Sequence, residues 1–112
     1  MKLTIDEDRF DSFQIRVLNE IIRTVRDGLK GAGVTGDSEL EEFTGNIVFS
    51  IAAIVDGSRI MELDGQPVVP FLTFQTDRDG DELITANGGS WMHEYACSAV
   101  DEMFSEENED DA

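Results

Sequence analysis

The residues of this chain best suited to chemistry sit together in the run His93-Glu94-Tyr95-Ala96-Cys97. On a helix, His93 and Cys97 at i and i+4 share a face and could hold a metal between them. With Glu94 between them, the run partly matches the zinc pattern His-Glu-x-x-His, Cys97 standing where the second imidazole belongs. The chain has no other histidine or cysteine, so further ligands would have to be carboxylates. The plainer roles are a small packed thiol for Cys97 and a first-turn side chain for His93.

A second candidate, Asp77-Arg78-Asp79-Gly80-Asp81-Glu82, has the look of a calcium loop. Such a loop needs glycine at its sixth position and a bidentate glutamate at its twelfth. Counting from Asp77, those positions hold Glu82 and Gly88; placing Gly80 sixth puts Ala86 twelfth. Both registers fail, and an Asp-Gly turn explains the segment. Residues 31–36 spell Gly-x-Gly-x-x-Gly but follow a predicted helix, where a dinucleotide site needs a preceding strand. Ser90 and Ser98 lie in no nucleophile-elbow context, and a Cys97–His93 dyad on one helix would lack an evident oxyanion hole. These failures argue against an enzyme, and no cofactor is expected.

Charge is the strongest signal. The net charge is −17, with six Lys/Arg against seven Asp/Glu in residues 1–37 and two against eighteen in residues 38–112. Such a chain repels phosphates and anionic membranes and attracts basic proteins. The expected partner is therefore a protein with a basic surface, and neither nucleic acid nor membrane is expected. The longest charge-free stretches, 43–55 and 65–76, are too short to cross a bilayer. The acidic start offers no secretory signal, and one cysteine forms no intrachain disulfide, so a cytoplasmic location is expected.

The elements that must position these residues follow from periodicity. A first helix is predicted from residue 4 or 8 to about residue 29, opened by a Thr4/Glu7 capping box. Ile5, Phe10, Phe13, Val17, Leu18 and Ile21 begin its apolar face, which continues to Leu29. Arg9, Arg16, Arg23 and Lys30, spaced by seven, form with Arg26 a basic stripe on the opposite side. That stripe is either a solvated face or a docking surface for something acidic, a second copy included, so a homodimer is compatible with it. A second helix is predicted after a Ser38/Glu41 capping box, its inward line being Leu40, Phe43, Ile47, Ile51 and Ile54. A strand through residues 46–55 is the rival reading; length and capping favour the helix.

Residues 59–86 read as an antiparallel meander. Strands at 59–63, 69–75 and 82–86 are joined by the Asp64-Gly65 hairpin signal and the 76–81 turn. A last helix follows Ser90, with Met92, Tyr95, Ala96, Ala99, Val100 and Phe104 among its apolar residues. Residues 105–112 read as an acidic, disordered tail after a single domain over residues 1–104.

The expected fold class is α+β, in the order α-α-β-β-β-α, with a small three-stranded antiparallel sheet packed against helices. The expected function is that of a small, acidic, non-enzymatic module binding a basic partner, of the antitoxin, immunity-protein or nucleic-acid-mimic kind. Trp91 and Tyr95, with the acids Glu94 and Glu102, are the candidate contacts on the last helix, and Arg16, Arg23 and Lys30 those on the first. Two alternatives stand beside this reading. One is a metal-binding protein or metal enzyme using His93, Glu94 and Cys97; the other is a protein whose acidity serves only hydration in a salt-rich cell.

Overall fold

The computed structural model describes residues 1–110. It opens with a strand, where the sequence predicts the start of a helix. β1 (Lys2–Ile5) pairs in parallel with β4 (Glu82–Thr85), in the register Lys2↔Glu82 to Ile5↔Thr85. The Thr4/Glu7 capping box is thereby corrected: the Thr4 hydroxyl donates to the Glu82 carboxylate at 2.9 Å. Asp6 instead caps α1 (Glu7–Gly31), its carboxylate accepting the Arg9 N–H at 3.2 Å.

Residues 32–36 turn α1 back into α2 (Asp37–Val55), so residues 46–55 are helical. The second predicted capping box is corrected too, because the N-cap is Gly36 and no side chain caps it. The inward line of α2 is also displaced. Leu40, Thr44, Val48 and Ala52 are buried, whereas Phe43, Ile47 and Ile54 stand 41, 41 and 37 % exposed. α2 is apolar on more than one side, and close packing selected its smaller residues. Gly45 faces α3, where an added Cβ would make an ordinary contact with Val100 at 3.9 Å.

The three-stranded antiparallel sheet is replaced by two sheets of two strands each. β2 (Glu62–Leu63) and β3 (Gln66–Pro67) form the antiparallel hairpin predicted at Asp64-Gly65. Both turn residues have positive φ, 51° and 79°, as a two-residue hairpin turn requires. The inner strand expected at 69–75 shrinks to a single bridge, Phe74↔Ile84. Pro67 and Pro70 cannot donate to a ladder, and β4 takes β1 as its other neighbour. The class is α+β, with the observed order β1-α1-α2-β2-β3-β4-α3.

α3 (Met92–Asp110) completes the chain's elements. It continues through residues 105–110 of the segment set apart as a tail, while residues 111–112 lie outside the described residues. The main core lies where the three helices meet, and includes Leu18, Ile22, Val48, Ala52, Met92 and Ala96. A second cluster, Phe10, Ile84 and Ala86, packs α1 on β4 with Phe13 and Phe74 beside it. Among the described residues, no helix is long and apolar enough to cross a membrane.

One glycine holds the exit from α2. Gly57 has φ 80°, and a Cβ there would lie 2.8 Å from the Pro70 carbonyl oxygen. Gly57→Ala is expected to cost about 1–3 kcal/mol, since it adds backbone strain to a clash with main chain. Urea denaturation of the two proteins measures that difference.

Candidate functional site

α3 begins against the end of α2, and this junction places the candidate metal residues. Ser90 accepts the Met92 N–H at 3.2 Å and donates to the buried Gln14 amide oxygen at 2.9 Å. Asp56, just past α2, reaches across to accept the His93 N–H at 3.0 Å and contacts the His93 ring at Nδ1. Its other carboxylate oxygen accepts the Ser58 N–H, also at 3.0 Å. The Asp56 carboxylate has no exposed surface. Burial works against its charged form, but the hydrogen bonds from His93 and Ser58 outweigh it and hold the carboxyl below its ordinary range.

Asp56, His93 and Ser58 look like a catalytic triad, and the geometry denies it. Ser58 Oγ lies 3.0 Å from Nδ1, the nitrogen that Asp56 already occupies. A triad needs the carboxylate and the hydroxyl on opposite ring nitrogens. His93 is instead a strut between helices, with the rings of Phe49 and Trp91 centred 5.8 and 6.4 Å from its own. Cys97 is exposed in the cleft between α2 and α3. Among the described residues, no three His, Cys, Asp or Glu side chains are placed to hold a metal. The Asp77–Glu82 segment forms its turn internally: Asp77 accepts the Asp79 N–H with its side chain and the Gly80 N–H with its carbonyl.

The cleft that Cys97 shares is an open groove of about 680 Å³ between α2 and α3. Glu41, Glu42 and Asp101 line it with Ser38, Asn46 and Phe49, and no basic residue does among the described residues. Partial burial pushes the Glu41 carboxyl above its ordinary range. The adjacent Asp101 pushes it the same way, as hydrogen-bond partner and as like charge. Two carboxyls are thus held together, and among the described residues no basic side chain of the groove offsets them. Sequence reasoning missed this groove because its walls come from helices far apart in the chain, although the acidic residues and Phe49 were visible singly.

The predicted contacts fall in separate places. Trp91 and Tyr95, 50 and 37 % exposed, line a smaller cleft at the start of α1 with Glu7, Asp8 and Asp11. Glu94 and Glu102 are exposed on α3, and Lys30 on the last turn of α1. Arg16 and Arg23 both pair with Glu20, at 2.6 and 3.6 Å. Arg26 departs from the solvated stripe: its side chain is 11 % exposed and pairs with Glu107 of α3. α1's basic residues are therefore largely engaged within the molecule. Compared with known proteins, the chain matches no family model, no curated protein and no solved structure.

Proposed function

We propose that this chain is an acidic, non-enzymatic protein-binding module whose α2–α3 groove receives a basic segment of a partner protein. The observation that carries this reading is the groove itself, where Glu41, Glu42 and Asp101 line one cleft with Phe49 and, among the described residues, no basic side chain joins them. Holding like charges together costs stability, and a positively charged partner turns that cost into affinity. Phe49, 43 % exposed, supplies apolar contact at the same place. The surrounding charge of −17 steers basic proteins toward the groove and repels nucleic acid. An immunity protein, or a mimic of nucleic-acid charge, would work in this way.

A lysine-rich peptide bearing one aromatic residue serves as the probe, with a glutamate-rich peptide and duplex DNA as controls. Only the basic peptide should bind, and its affinity should fall as salt rises. Glu41→Gln and Asp101→Asn should each weaken it about threefold to tenfold. Glu41→Gln should also stabilise the free protein at neutral pH by about 0.5 kcal/mol or less, because it relieves a repulsion that protonation otherwise removes. Equal binding of all three probes, or binding indifferent to both substitutions, would overturn the proposal.

A further inference from the structure

A different face of α2 remains open. Phe43, Ile47 and Ile54 project from the helix on one side, at spacings of four and seven. Ile51, half-buried, joins them to a shallow apolar groove whose other wall is Val17, Ile21 and Val25 of α1. The band runs from Phe43 to Ile54, a length of about 16 Å at 1.5 Å per residue, and is two helices wide. An apolar surface of this kind on a small domain calls for a cover.

Charge selects the cover. Along the α1 edge of the band stand Arg16, Glu20 and Arg23, which sum to one positive charge. Along the far edge of α2, helical periodicity places the exposed Glu39, outside the α2–α3 groove. The band therefore has a cationic border on one side and an anionic border on the other. A two-fold axis lying in the interface and parallel to the helices brings each border of one molecule against the opposite border of its mate. It also sets α1 of one copy over α2 of the other, which makes a four-helix bundle. The charge distribution favours the same arrangement. Residues 1–37 are near neutral, so the face that includes α1 is where two chains of net charge −17 can approach with least repulsion.

We infer that the α1–α2 band is covered by a second copy of this chain, in a two-fold dimer centred on Phe43, Ile47, Ile51 and Ile54. The α2–α3 groove is not needed for this contact, so the dimer and the basic-partner reading stand or fall separately. Sedimentation velocity of the full chain over a wide concentration range tests it. The wild type should sediment as a dimer in reversible exchange with monomer. Ile47→Asp should raise the dissociation constant at least about 30-fold, the ratio that ~2 kcal/mol gives. Phe43→Asp should do the same, both variants keeping the wild-type far-ultraviolet circular dichroism. Leu63→Asp, on the exposed β2–β3 hairpin, should leave the dimer intact. A wild type that is monomeric throughout would overturn the inference. So would a dimer that survives Ile47→Asp, or a monomer whose band instead takes up a lysine-flanked amphipathic peptide.

Discussion

Asp56→Ala is expected to lower the unfolding free energy by about 2–4 kcal/mol and the Tm by roughly 10 °C or more. The reason lies in what a single carboxylate does at the α2–α3 junction. It accepts one N–H from the first turn of α3 and one from Ser58, and contacts the His93 ring, with no water-exposed surface of its own. Its negative charge also faces the positive end of the α3 dipole. Removal leaves the His93 N–H without its partner and removes a polar tie between two helices that share the main core. Asp56→Asn keeps one carbonyl acceptor and should cost less, about 1–2 kcal/mol.

The pH dependence distinguishes the two proteins further. The folded-state pKa of Asp56 is depressed, so its stabilisation is complete above the unfolded value of about 3.9 and is lost as pH falls through the lower, folded value. The stability gap between wild type and Asp56→Asn should therefore be widest near neutrality. It should narrow as pH drops below about 4. Denaturant titrations of both proteins at several pH values measure the gap directly; a gap that widens in acid would refute this account of the junction.

The second large effect is a contrast between neighbours. Val48→Asp should cost about 4 kcal/mol or more, because it places an unpaired carboxylate in a site with no exposure between α1 and α3. Set against a total stability of roughly 5–15 kcal/mol, that leaves the domain largely unfolded in mild denaturant. Ile47→Asp, one residue earlier and 41 % exposed, should cost less than about 1 kcal/mol in dilute solution. Circular dichroism of the two variants decides between the observed phase of α2 and the one its sequence suggests, which would exchange the two results.

That phase shows where sequence reasoning ends for this fold. α1 was legible because its apolar residues occupy one side and its charges the other. α2 was legible as a helix but not in rotation. Its Leu40-Phe43-Ile47-Ile51-Ile54 line is the more hydrophobic one, and packing density, which favours Thr44, Val48 and Ala52, is not written in periodicity. β1 could not be found locally. Four residues alternate too briefly to signal a strand, and the partner β4 lies some 80 positions away. The Asp64-Gly65 hairpin was legible because the turn needs those residue types whatever surrounds it.

The site was less visible than the fold. Asp56 gave no sign of its role, since nothing local shows a carboxylate reaching 37 residues ahead to cap another helix. His93, read as a metal candidate, has its Nδ1 engaged by that same carboxylate. The surplus of acid was evident from composition, whereas its convergence at Glu41, Glu42 and Asp101 needed α2 and α3 set side by side. Arg26 belonged to a helical stripe by spacing, yet the approach of α3 gives it Glu107 as a partner.

Amide chemical-shift mapping with the lysine-rich peptide tests the proposed recognition most directly. The shifts should concentrate on Ser38, Glu41, Glu42, Phe49 and Asp101 and saturate together, leaving Val17, Ile21 and Ile47 unmoved. Small shifts scattered over every exposed carboxylate, with no saturation, would mean that the charge hydrates the protein and recognises nothing.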